Sequence, residues 1–320
     1  MSTPFDGGAF DVICVGAATL DTIGVVEHVP AADERVVSAP FVTAGGGPAA
    51  TAAVALARLG ARVAFCGVVG DDDAGRAVRA QFEAEGVDTR WLLTRPGAST
   101  SRSVVLVELG TGARSIVATP SPMIDADAVP VGASDWLHVD QHGYAPAAAA
   151  LARSSADADA RPRLSVDAGN PIDGLDLRAV DLYVPTTASL TARFGTASDE
   201  AGIAGALAAA SAAGAAQVVA TAGSGGSYVF ADGAATRVPG HAVDVVSTLG
   251  AGDVFHGAVL AGLVDGMPLT AAAGFACVVA ALSCRGLDGR SSIPTHGEAH
   301  GVFARKLAEQ PAQPTGRAYA

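Results

Sequence analysis

Lysine is almost missing from this chain: of 20 basic residues among 320, Lys306 is the single lysine. No glycine-rich stretch surrounds it, which excludes a phosphate-binding loop of the GxxxxGK[ST] type. Basic charge is scarce altogether, with 32 acidic residues giving a net charge of −12. Such a surface repels phosphate backbones, so neither a nucleic-acid partner nor a polybasic membrane contact is expected. The four cysteines (Cys14, Cys66, Cys277 and Cys284) include no CxxC pair. They read as reduced core residues of a cytoplasmic protein. Long runs of large apolar side chains are lacking too. The richest stretch, Ala201 to Ala220, is broken by Gly205 and Gly214 and is mostly alanine. The opening MSTPFDGG has no basic residue, so no signal peptide is expected.

What the chain does have is alternation. Phe10–Gly16 reads as a buried strand, and Pro48–Gly60 as a helix with proline in its first turn and glycine at its stop. Val63–Val69 and Gly75–Glu85 repeat the pattern. Trp136–Val139 precedes an alanine-rich helix expected from Ala147, and strands follow at Arg163–Val166 and Leu182–Val184. Gly202–Ala213 then reads as a helix and Gln217–Thr221 as a strand. This order implies an α/β fold: a mostly parallel sheet with helices on both faces. Two segments break the rule. Val25–Val42 has a strand-type pattern, and Ser101–Val117 reads as a hairpin turning at Gly110–Gly112. They predict a small β extension beside the main sheet. A disordered tail is expected after Ala308.

Chemistry concentrates in Asp244–Leu260, DVVSTLGAGDVFHGAVL. A β-type run reaches Gly250, Ala251, Gly252 and Asp253, and a helical pattern follows. Small residues there let consecutive N–H groups at the helix start face an anion. Asp253 is either a helix cap after a glycine turn or the carboxylate that meets an acceptor hydroxyl. At a helix N-terminus it is expected to have a low pKa. Several other residues stay open in the same way. Asp71, Asp72 and Asp73 read as a metal cluster or as a solvated turn and helix start. His138 and His142, four apart, pair on a metal only if they lie on a helix, whereas SDWLHVDQHG reads as a strand ending in a loop. That loop could place Gln141 or His142 in a binding site. Asp167 and Asn170 follow another strand, as a plain turn or a binding loop.

The segment STLGAGDVFHGAVL resembles the C-terminal signature of the ribokinase/PfkB carbohydrate kinases. AGGGPAATAAVALARLG at 44–60 and GVVGDDDAG at 67–75 resemble the N-terminal signature, and the likeness runs from about Asp11 to Pro294. The resemblance implies a ribokinase-like three-layer fold over 1–310, with β-lid segments near 22–44 and 98–119 and a tail at 311–320. It implies ATP-dependent phosphorylation of a sugar hydroxyl with Mg²⁺ and a monovalent cation such as K⁺, and a homodimer formed through the lids. Asp253 would be the catalytic base, with Gly250, Ala251 and Gly252 as the anion hole. Asp21, otherwise a turn residue, would bind sugar hydroxyls beside Gly46, Gly47 and Thr51. Thr221, Gly223 and Gly226, with Thr248, would lie on the nucleotide side.

Within the family the chain resembles the sulfofructose kinases, and that resemblance implies a fructose-like ketose with a sulfonate at C6 and makes Arg35 a candidate charge partner in the lid. Departures accompany the likeness. Ala118 and His142 stand where those enzymes place asparagine and arginine. Ser247 replaces the family's aspartate, and Thr186 and Ser189 replace its NxxE. The competing readings are a sugar-binding or regulatory protein of the same fold that transfers phosphate weakly or not at all, and a nucleoside kinase. Only 5% of residues are aromatic, which offers little for stacking a base.

Overall fold

A computed structural model describes residues 10–154 and 161–309. The first strand, β1 (Phe10–Val15), explains why alternation fails to show as polar-out: both of its faces are covered. Val12 and Cys14 pack into one apolar cluster, and Ile13 and Val15 into another on the opposite side. Around it lie β4 (Val63–Gly70), β5 (Asp88–Arg95), β8 (Ser134–Val139), β9 (Arg163–Ala168), β10 (Leu182–Pro185) and β11 (Gln217–Thr221). With the closing hairpin of β12 (Ser227–Ala231) and β13 (Ala234–Val238), they form a nine-stranded sheet ordered β13-β12-β11-β10-β9-β8-β1-β4-β5. All pairs are parallel except the two that β12 makes.

One face carries α1 (Pro48–Arg58), α6 (Ala251–Val264), α7 (Leu269–Ser283) and α8 (His296–Glu309). The other carries α3 (Tyr144–Arg153) and α5 (Glu200–Ala212). The alanine bias has a packing cause: a Cβ on Gly257 of α6 would lie 2.6 Å from the carbonyl oxygen of Ala52 in α1. Only small residues permit that approach, and it places the start of α6 next to the start of α1. No helix among the described residues is long and apolar enough to cross a membrane.

A second sheet, ordered β3-β2-β6-β7, stands beside the first. It contains β2 (Thr19–Val26), β3 (Val42–Gly46), β6 (Ser101–Glu108) and β7 (Arg114–Ala118). The β6–β7 hairpin turns through Gly110 and Gly112, both at positive φ. The strand expected over Val25–Val42 is a correction: strands occupy its flanks, and 27–41 is almost entirely loop. Pro30 and Pro40 cannot donate to a ladder, and Asp33 sits at φ 63°. Two helix boundaries also move. The third helix starts at Tyr144, with Pro146 inside its first turn, and α8 continues to Glu309. The tail expected at 311–320 lies outside the described residues.

Candidate active site

The strand ends, the starts of α1 and α6 and the inner face of the small sheet enclose a cavity of about 500 Å³, within the usual size for small-molecule sites. Asp253 lies at its floor in the first turn of α6. Gly250 begins that helix in the left-handed region at φ 72°, and a Cβ there would come within 2.9 Å of the Gly289 Cα. The Ala251 N–H turns back to the Thr248 carbonyl at 3.3 Å. Gly252 and Asp253 are left as first-turn N–H groups without an intrahelical acceptor. Of the three residues expected to form an anion hole, Gly250 and Gly252 line the cavity and Ala251 does not.

The expectation of a low pKa for Asp253 is overturned. Burial pushes its carboxyl up to about 8, and the nearby Asp167 carboxylate raises it further against the opposing pull of Arg114. Desolvation outweighs the helix terminus here because the charged form loses water on most sides. Asp167, left open by the sequence, is buried at the end of β9. Its Oδ1 accepts from the Gly169 N–H, and its Oδ2 lies 3.2 Å from Nδ1 of His256. His256 donates from Nε2 to the Val184 carbonyl at 3.0 Å, which fixes the ring orientation and turns Nδ1 toward Asp167.

Asp21 faces the cavity from β2 and accepts from the Thr19 hydroxyl at 2.7 Å. Gly46 must lack a side chain, since a Cβ there would lie 2.0 Å from Asp21 Oδ2. Gly47 takes φ 97° to start α1. Thr51 lines the cavity and accepts from Arg290 Nε at 3.3 Å, while Arg290 Nη2 donates to the Gly46 carbonyl at 2.8 Å. Burial lowers Arg290 to about 10, so it stays charged at neutral pH behind Asp21 and Asp253.

Asp140, at the end of β8, is buried and holds the strand ends together. It accepts from the N–H groups of Ala17, Ala49, His142 and Gly143. Burial raises its pKa against those bonds.

The remaining expected residues divide. His142 and Gln141 line the cavity, as does Thr221 at the end of β11. Gly223 and Gly226 form the turn between β11 and β12 without lining it. Thr248 does not line it either. Its hydroxyl donates to the Gly112 carbonyl at 3.1 Å and accepts from Arg114 at 3.2 Å, tying the loop before α6 to the small sheet. Arg35 is exposed on the loop between β2 and β3 and stands off the cavity. His138 is fully buried against Ser165 and held neutral by burial at a pKa of about 3, and it lies on β8 with His142 in the turn beyond, so the two do not share a helix. Asp72 caps the helix α2 (Asp73–Ala84) through the Gly75 N–H, as the turn reading has it.

Four residues of the site carried no sequence signal that was read: Arg114, Asp140, His256 and Arg290. For Arg114 the signal existed, because strand alternation puts Arg114, Ile116 and Ala118 on one face, and all three line the cavity.

Residues 9–296 match the family described as pfkB family carbohydrate kinase. The chain is 28% identical over 295 residues to a ribokinase of Bacillus subtilis, covering 89% of this chain and 97% of that protein. It is 28% identical over 294 residues to the ketohexokinase of Mus musculus, covering 87% and 98%. Among solved structures, Arabidopsis thaliana ribokinase complexed with ribose and ATP superposes with a TM-score of 0.76 at 23% identity, covering 92% of this chain and 99% of that one.

Proposed function

This chain belongs to the pfkB family of carbohydrate kinases, and from that premise we propose that it transfers the γ-phosphoryl group of ATP to a hydroxyl of a fructose-like ketose. The observation that carries the reading is Asp253 at the floor of a cavity, beside the open N–H groups of α6 and with Asp21 lining the same cavity. Asp21, Gly46, Gly47 and Thr51 would hold the sugar. Thr221 and the turn at Gly223–Gly226 would lie toward the nucleotide. The acceptor O–H gives its proton to the ionised Asp253 carboxylate while its oxygen bonds to phosphorus, and the bond from phosphorus to the ADP oxygen breaks. The Gly252 and Asp253 N–H groups face the charge on the migrating group, and Arg114, poised over the same turn, adds a cation.

The family implies Mg²⁺, which neutralises phosphate charge. Mg²⁺ takes one or two carboxylates beside the phosphates, and the residues present fit it. With Thr186 and Ser189 hydrogen-bonded to each other at 2.9 Å, Asp167 is the carboxylate available to hold it. A monovalent cation gains no support from Ser247, whose hydroxyl accepts from the Leu249 N–H.

Among the described residues no Phe, Tyr or Trp lines the cavity, which disfavours a nucleoside substrate. A sulfonate at C6 would need a free cation at the sugar end. Arg35 stands off the cavity, and Arg290 donates inward to Gly46 and Thr51, so a neutral ketose fits better. The second reading, a sugar-binding protein without transfer, is separated by one variant. Asp253→Asn should bind the sugar as the native protein does and lose about 10²-fold or more of the rate of ADP release. Fructose, sulfofructose, ribose and inosine are the arms of that assay. Absence of ADP release by native protein with every sugar would end the kinase reading, and turnover of sulfofructose alone would restore the sulfonate.

The outer face of the small sheet exposes Val104 and Val117, with Phe41 exposed nearby. Adjacent exposed apolar residues on a sheet call for a cover, and a second copy of this chain is the proposed one.

A further inference from the structure

Far from the cavity, Asp265, His296 and His300 converge at the surface. Asp265 closes the C-terminal end of α6, about 18 Å along the helix from Asp253 at 1.5 Å per residue. His296 and His300 occur four residues apart on α8, so both project from one face of that helix. Nε2 of each lies 3.8 Å from the same Asp265 oxygen, Oδ2. Such a separation is too long for a hydrogen bond, yet close to the spacing between ligand atoms around a metal. With bonds of about 2.0–2.1 Å, tetrahedral ligands sit about 3.3 Å apart. Among the described residues this is the group of three whose ligand atoms all fall within 4.8 Å of one another.

Two further observations point to a cation at that spot. The Nε2 atom of His300 is shielded from solvent and has no hydrogen-bond partner, while its ring is held against buried Phe275 with centroids 4.7 Å apart. A shielded ring nitrogen without a partner is costly unless something else takes its lone pair. Asp265 adds a carboxylate to a helix C-terminus, the end whose partial charge is already negative. Its ion partners are these two histidines, so the pole attracts positive charge. The single nearby lysine is engaged elsewhere, donating to the carbonyls of Pro239 and Gly240.

We infer that Asp265, His296 and His300 form a site for a divalent transition metal of the zinc class, with two imidazole nitrogens and one carboxylate oxygen as ligands and water completing the shell. Imidazole ligands select Zn²⁺, Ni²⁺ or Cu²⁺ over Mg²⁺, which prefers oxygen, so this site is separate in chemistry from any Mg²⁺ that accompanies the nucleotide. Its effect is to fasten α8 to the far end of the helix that carries Asp253. The inference does not depend on the kinase reading, and its test does not use turnover.

Chelator-treated full-length protein is titrated with ZnCl₂ in millimolar Mg²⁺, by calorimetry and by equilibrium dialysis with metal analysis. One Zn²⁺ per chain is expected, with the midpoint of thermal unfolding rising as Zn²⁺ is added. His296→Gln, whose side chain is half exposed and whose loss leaves the core intact, should weaken binding about tenfold or more. Asp265→Asn should do the same and shrink the thermal shift at a given Zn²⁺ concentration. Binding that Asp265→Asn leaves unchanged would mean an adventitious histidine pair and overturn the site, as would the absence of saturable one-to-one binding.

Discussion

At the scale of single residues, the site turns on where burial overrides local chemistry. Asp253 sits in the one position of a helix that should lower its pKa, and burial with Asp167 raises it to about 8 instead. A base must be ionised to accept the hydroxyl proton, so activity is present above that pKa and lost as pH falls through it. The kcat/KM profile should therefore show an acid limb. Asp167→Asn removes a like charge and should move that limb to lower pH even as kcat drops; a limb that stays in place or rises would refute the coupling. Arg290 makes the opposite kind of contribution. Arg290→Met would leave the buried Gly46 carbonyl without its donor, at a cost of about 1–3 kcal/mol in urea unfolding. A loss below about 1 kcal/mol would show that the guanidinium is not structural. Asp253 with Gly250 and Gly252 was legible because one short motif carries them together, whereas Asp21, Gly46 and Gly47 stand more than 200 positions away and were read from the likeness to the family. Arg290 was not, since it reaches Gly46 across 244 positions of sequence, and no local pattern encodes such a reach.

At the scale of elements, register does the work. Pairing of Val107 with Arg114, Val105 with Ile116 and Ser103 with Ala118 keeps one face of β7 over the cavity. A slip by one residue would send Arg114 to the outside. The same arginine donates to Thr248, which donates to Gly112, so the hairpin turn and the loop entering α6 are joined. Arg114→Gln should lower kcat about 10²-fold, the scale of losing one donor to developing charge, with the sugar KM little changed. An unchanged kcat would reduce Arg114 to a tether. Thr248 thus works from behind the turn, where the sequence had it on the nucleotide. The hairpin itself is readable from its glycines, whereas 25–42 carries a strand pattern only at its flanks, where Val25, Val26 and Val42 do lie in strands.

At the scale of the whole molecule, two sheets divide the labour: the large one carries the strand ends and helix starts, and the small one brings Asp21 and Arg114 over them. The outer face of the small sheet then needs a cover. Native protein should sediment as two chains, and Val117→Asp, at a side chain 75% exposed, should give single chains with unchanged helix content. Single chains from the native protein would refute the proposed pairing.

The sequence by itself determined the alternation of strand and helix, the two signatures and the acidic, lysine-poor surface, because those properties are local or additive along the chain. Only the tertiary structure decided the protonation of Asp253, the inward turn of Arg114 and the support of Asp140 and Arg290. Each of these depends on which distant groups share a desolvated space, and charge–charge energies there follow distance in three dimensions rather than separation in sequence.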